Sequence, residues 1–427
     1  MKEKKTLTAF ASVPDLRIGV PVKTCAPPLA TEKNWLMRVC FISHSAGRYG
    51  AELALLELLQ GLVKLNVRCL VLVPEKGPLL AQLNLLNIEW QIIKYPPWIS
   101  QRKWMLTPYR IVRTLKALVV AVQMAQVIKR WNCDLVYTNT AVVGAGAFAA
   151  WLACRPHIWH SHESGYHNPS LKFDLGSRWV ERLMDHFSAL IIVNSYSVKE
   201  DYARYIEPGR MHLVYQSVTL REEIEISQRR IDATEPLFRC AIVGSLHAWK
   251  GQDEAINALS EVVRRGINAH LLLVGDGGKR FAAALLQQIK DLGLEERVKL
   301  IGYAENPLQF ICMADVVLVC SRWEAFGRVT VEAMLAGKAV IGSSNGGTTE
   351  LIQDGKTGLL YERGNHTQLA DRIQYLYENP EVKSKLGEAA RIWAASRFTQ
   401  ERYAKEVLDL LKGVLAREKI SPQIPSN

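Results

Sequence analysis

Short apolar runs alternate with longer amphipathic stretches along most of this chain. Runs at Leu36–Ser43, Val67–Pro74, Ile88–Tyr95, Cys133–Asn139, Ala189–Asn194 and Met211–Val218 form a first series. A second series follows at Phe238–Leu246, His270–Gly275, Val298–Tyr303, Asp315–Ser321 and Lys338–Ser344. Runs this apolar on both faces suit parallel strands covered by helices. The stretches between them carry helical spacing, as from Gly50 to about Leu65 and from Arg328 to just before Gly337. Strand–helix alternation of this kind predicts doubly wound α/β domains. The pattern lapses over residues 1–34, rich in Lys and Pro, and over 219–236, which are charged. The lapses predict an N-terminal tail, a first domain at 35–218, a linker at 219–236 and a second domain at 237–400. A final helix and tail occupy 401–427.

The chemistry concentrates where the run Asp315–Ser321 ends. Trp323-Glu324-Ala325-Phe326-Gly327 leads directly into the helix that starts at Arg328. Backbone N–H groups of Gly327, Arg328 and Val329 precede the helical ladder, and the helix dipole adds to their pull on an anion. They make a site for phosphate oxygens. Glu324 lies just before that site and Glu332 one turn beyond it. Carboxylates repel phosphate, so this pair fits hydroxyl groups on either side of the phosphates, a sugar on one and a ribose on the other. The alternative is a helix cap and a solvated glutamate. Gly50 opens the first helix after His44-Ser45-Ala46-Gly47-Arg48-Tyr49, either as a second phosphate cradle or as a plain turn. Gly144-Ala145-Gly146 mimics a dinucleotide fingerprint but starts late after its strand, and is read as close helix–sheet packing rather than NAD binding. His160 and His162, with Glu163, are too crowded on one strand to close a metal tetrahedron.

The stretch Glu324-Ala-Phe-Gly-Arg-Val-Thr-Val-Glu332-Ala-Met, and the later Gly346-Gly347-Thr-Thr-Glu350-Leu-Ile, resemble the donor-site signature of family 4 of the retaining glycosyltransferases. That resemblance covers nearly all of 36–420. It implies the GT-B fold: two Rossmann-like domains facing across a cleft. It implies transfer of a sugar from a nucleotide diphosphate sugar to a hydroxyl of a glycan or lipid-linked acceptor, without a metal or other cofactor. The resemblance puts Glu324 on the transferred sugar, Glu332 on ribose, and Lys250 and Gly327 on the diphosphate, with Arg328 and Val329 beside them. It puts Gly50 against the diphosphate or sugar and Tyr303 near the base, with Gly275 and Phe326 in the donor site. His162 faces the sugar, with His160 as runner-up. The family's Arg is replaced by Ser245, so stabilisation of the leaving group rests on Lys250, Arg328 and helix ends. An epimerase or phosphorylase on this fold, or a non-catalytic nucleotide-sugar binder, are the rival readings.

Composition adds a partner class. The 427 residues carry a net charge of +11, and no acidic residue occurs between Glu89 and Asp134. Lys94, Arg102, Lys103, Arg110, Arg113, Lys116, Lys129 and Arg130 lie there, with Trp98, Trp104 and Tyr109 among them. Basic residues mixed with aromatics fit an anionic membrane surface, or else a polyanionic acceptor or a solvated helix face. No nucleic-acid-binding motif appears. No apolar run is long enough to span a bilayer. The eight cysteines lack paired spacing and fit a reducing compartment. A cytoplasmic enzyme, peripheral on the inner face of the membrane, is the expected setting.

Overall fold

The computed structural model describes residues 35–99, 107–163, 172–220 and 237–420. The tail at 1–34, most of the linker, and Arg102, Lys103 and Trp104 lie outside them.

The first domain runs β1 (Met37–Ile42), α1 (Gly50–Lys64), β2 (Val67–Val73), α2 (Pro78–Leu85), β3 (Glu89–Ile92), α3 (Thr107–Arg130) and β4 (Leu135–Thr138). It continues through α4 (Ala145–Leu152), β5 (His157–Ser161), α5 (Ser177–Phe187), β6 (Leu190–Val193), α6 (Tyr196–Tyr202) and β7 (Met211–Leu213). All seven strands are parallel, in the order β3-β2-β1-β4-β5-β6-β7. β1 is an interior strand, and Val39 to Ile42 are fully buried, as a strand covered by helices on both faces requires.

The second domain repeats the scheme: β8 (Phe238–Val243), α7 (Gln252–Arg264), β9 (Ala269–Val274), α8 (Lys279–Asp291), β10 (Val298–Gly302), α9 (Leu308–Met313) and β11 (Val316–Val319). Then come α10 (Arg328–Leu335), β12 (Ala339–Ser343), α11 (Thr348–Leu351), β13 (Leu359–Tyr361), α12 (His366–Glu378), α13 (Pro380–Arg397) and α14 (Gln400–Ile420). Its parallel sheet is ordered β10-β9-β8-β11-β12-β13.

In each sheet the chain winds outward one way, then returns to the centre and winds the other. The order reverses between β1 and β4 in one and between β8 and β11 in the other. Such a reversal opens a crevice at the carboxyl ends of the two strands, because the connecting loops part in opposite directions. The loops after β1, β5 and β6 face those after β8 and β11, so the two crevices form one cleft.

α14 does not stay with the second domain. Tyr403, Val407, Leu411 and Val414 recur at helical spacing and are buried in the first domain's core with Leu55, Leu58 and Leu62 of α1. Each such side chain contributes about 1.5–3 kcal/mol on burial.

Candidate active site

The cleft has a volume of about 540 Å³. On the second-domain side α10 is aimed into it. Gly327 caps α10 with φ +91°, a left-handed conformation that a side chain would strain. The first intrahelical bonds run from Thr330 and Val331 N–H to Gly327 O, so the amides of Arg328 and Val329 precede the ladder. The preceding loop is backed by the turn after β12. Gly347 N–H donates to Glu324 O at 2.8 Å, and a Cβ on Gly347 would come within 2.4 Å of Ala325 O. Phe326 anchors the loop from beneath, with its ring against Tyr215 and Phe398.

Glu324 is the hub of this wall. Its Oε1 accepts from Ser321 Oγ at 2.6 Å and pairs with Lys250 Nζ. The loops that carry Lys250 and Glu324 are themselves joined, since Arg322 N–H donates to Trp249 O at 2.7 Å. Ser245 lines the cleft with an exposed side chain, and its carbonyl accepts from Gln252.

The first-domain wall is built by His44, Gly50, Glu52 and His162. Gly50 begins α1 and lies against α10, for a Cβ there would sit 3.5 Å from Arg328 Cδ. His162 follows β5 and is buried. Asn139 Nδ2 donates to Ala51 O, which leaves Asn139 Oδ1 to accept from His162 Nε2 at 3.0 Å. With the proton on Nε2, His162 Nδ1 is an acceptor, and among the described residues no group donates to it. Burial, then the charges of His44 and Arg328, lower its pKa to about 3, so the ring is neutral near pH 7. His160 sits deeper, its Nδ1 2.6 Å from Tyr137 Oη and near Tyr403 of α14. It does not line the cleft.

Three donor-site candidates lie outside the cavity lining. Gly275 and Tyr303 end β9 and β10 at the same edge, and Tyr303 is 71% exposed. Glu332 is turned under Arg328, 3.8 Å from its Nε, and burial raises its pKa. The Arg328 guanidinium is itself engaged with the other domain: Nη2 pairs with Glu57 at 2.8 Å and Nη1 donates to Ser217 O at 2.9 Å. Ser245, Lys250, Glu324, Phe326, Gly327, Arg328 and Val329 do come together with Gly50 and His162.

Sequence reasoning passed over Glu52, His44 and Glu57. Glu52 is 1% exposed, accepts from Ser45 Oγ at 2.6 Å and lies 3.3 Å from His44 Nε2. A carboxylate in the first turn of the helix opened by Gly50 was the available signal. The basic stretch also needs correction. Trp98 is buried, stacked on Trp159 at 5.6 Å, and Arg113 pairs with Asp174. Lys94, Lys116, Lys129 and Arg130 remain exposed.

Two family models lie end to end on the chain: Glycosyltransferase Family 4 over residues 49–222 and Glycosyl transferases group 1 over residues 223–393. The chain belongs to glycosyltransferase family 4. N-acetyl-alpha-D-glucosaminyl L-malate synthase of Bacillus anthracis is 27% identical over 342 residues, 78% of this chain and 83% of that protein. Alpha-D-kanosaminyltransferase of Streptomyces kanamyceticus is 26% identical over 60% of this chain and 71% of its own length. Anabaena HepE, solved with UDP-glucose, matches with a TM-score of 0.73 and 26% identity over 88% of this chain and 100% of that one. The family 4 chain is thus a glycosyltransferase that uses a sugar nucleotide, with the GT-B fold. An epimerase, a phosphorylase or a non-catalytic binder is not favoured. Among the described residues, no helix is long and apolar enough to cross a membrane.

Proposed function

We propose that this glycosyltransferase moves a hexosyl group from a uridine diphosphate sugar, with retention at the anomeric carbon, to a hydroxyl of a glycan or lipid-linked acceptor. The observation that carries the reading is the Lys250–Glu324–Ser321 cluster beside the N-terminus of α10, across the cleft from His162. The uridine assignment draws on HepE, which binds UDP and UDP-glucose. The diphosphate lies between Lys250 and the Arg328 and Val329 amides. Glu324 Oε1 is occupied by Lys250 and Ser321, and its Oε2 takes a hydroxyl of the transferred sugar. His162 Nδ1 accepts from another.

As the bond from the anomeric carbon to the diphosphate breaks, charge grows on the departing oxygen, where Lys250 and the helix dipole stabilise it most. The acceptor hydroxyl attacks from the same face and gives its proton to a diphosphate oxygen. No metal takes part in this scheme. Glu332 and Tyr303 reach ribose and base as the donor seats. The exposed Lys94, Lys116, Lys129 and Arg130 hold the first domain on an anionic membrane surface, each contributing about 1 kcal/mol at most and screened by salt.

The test is a screen of UDP-sugars by UDP release, followed by proton NMR of the product. An anomeric coupling that matches the donor's configuration supports the reading. An inverted product, or no release from any UDP-sugar with any acceptor, contradicts it.

A further inference from the structure

The first domain carries a second cavity, of about 740 Å³, beside the catalytic cleft. Its lining is mostly aliphatic and proline: Pro74, Pro96, Pro97, Val112, Leu115 and Val119. One wall is the outer face of α3. On that face Val112, Leu115, Val119 and Val122 recur at helical spacing and are 47%, 56%, 64% and 48% exposed. The opposite face of α3 is already spent on the core, where Ala121, Met124, Ala125 and Ile128 are buried. A helix with one buried face should turn polar residues to solvent. This one turns a second apolar stripe outward, and a contiguous apolar surface of this kind marks a binding site.

Two observations say what would lie there. The first is continuity: His44 lines both this groove and the catalytic cleft, so whatever fills the groove runs directly to the acceptor wall. The second is charge. Lys94 and Lys116 both line the groove, against one carboxylate, Glu75. A purely apolar ligand would offer these ammonium groups no counter-charge within the groove. A sugar chain would offer the valines and leucine no apolar surface.

We propose that the groove between α3 and the loops after β2 and β3 takes the aliphatic chain of an amphiphilic acceptor, whose anionic linkage rests on Lys94 and Lys116. The chain lies along Val112, Leu115 and Val119, and the acceptor hydroxyl reaches the transferred sugar past His44. This deepens the acceptor side of the function proposed above and rests on it. It also differs from simple docking on a membrane, because a single chain is drawn into the groove.

Decyl phosphate below its micelle concentration is the probe, titrated into the full chain by calorimetry beside inorganic phosphate. UDP is titrated separately. Decyl phosphate should bind saturably and inorganic phosphate far more weakly. Val119→Glu should weaken decyl phosphate by about tenfold or more, through lost apolar contact and added repulsion. Lys94→Ala with Lys116→Ala should weaken it as well. All these residues are exposed, and UDP affinity should not change, which separates this claim from the donor site. Equal decyl phosphate affinity in wild type and Val119→Glu overturns the proposal, as does no binding by a chain that still binds UDP. Sedimentation closes the remaining route: a wild-type dimer that Leu115→Glu makes monomeric would assign the stripe to a second copy of this chain instead.

Discussion

At the scale of single residues, the proposed function divides the work on the sugar between Glu324 and His162. Glu324 keeps Lys250 and Ser321 on one oxygen and presents the other. In Glu324→Gln the amide cannot hold Lys250 as an ion pair or accept as strongly from a sugar hydroxyl. Turnover should fall by roughly 100-fold, the scale of losing one group that stabilises the transition state. UDP affinity should be retained, since the proposal places the diphosphate contacts on Lys250 and α10. Steady-state UDP release and calorimetry on the same variant decide this. His162 and His157 carry a pH consequence. Burial lowers both pKa values from 6.5 to about 3. The unfolded chain therefore takes up these protons below pH 6.5 while the folded chain does not. Their stability contribution is complete above pH 6.5 and falls by about 1.4 kcal/mol per pH unit for each histidine as pH drops toward 3. Urea denaturation at pH 7 and pH 5 should show the loss, and His157→Gln should reduce the slope. An unchanged slope would remove His157 from the account.

At the scale of elements, α10 is fixed from both sides. Glu57 of α1 accepts from Ser217 Oγ at 2.6 Å, from Thr219 N–H at 3.3 Å and from Arg328 Nη2 at 2.8 Å. One buried carboxylate thus ties the segment leaving the first domain to α10. Glu57→Ala strands the Arg328 guanidinium beside Glu332 and should cost about 3–5 kcal/mol, the usual result of breaking a buried pair from one side. A chemical denaturation midpoint unchanged from wild type would contradict the tie. This contact also marks the limit of what the chain reveals as text. Strands β1, β8, β11 and β12 announce themselves as apolar runs, and α10 by Gly327 before it and Gly337 after it, because these depend on neighbours in sequence. The partner of Arg328 lies 271 residues away and follows only from how the domains meet. Trp98 reads as a surface aromatic among basic residues, yet Trp159 of β5 covers it. Glu350 sits inside a motif that is plain in the sequence. Its task, accepting from Tyr196 and Ser197 N–H at the start of α6 and from Tyr215 Oη, needed both domains in place.

At the scale of the molecule, two sheets of like winding present their reversal points to each other, and α14 returns to close the pair. Under the proposed function, the second-domain wall supplies positive charge and helix-end amides where the leaving group forms. The first-domain wall, where the proposal seats the acceptor, supplies a neutral histidine and leads to an apolar groove. The central claim is that the diphosphate is held at Lys250. It is tested most directly by calorimetric titration of UDP and of uridine into wild type and Lys250→Met. Uridine senses base and ribose alone, so its affinity should be the same in both. UDP should bind Lys250→Met more weakly by roughly 10- to 150-fold, since a charged hydrogen bond of about 1.5–3 kcal/mol is lost and Glu324 loses its counter-charge beside the phosphates. Equal UDP affinity in the two proteins would contradict the account.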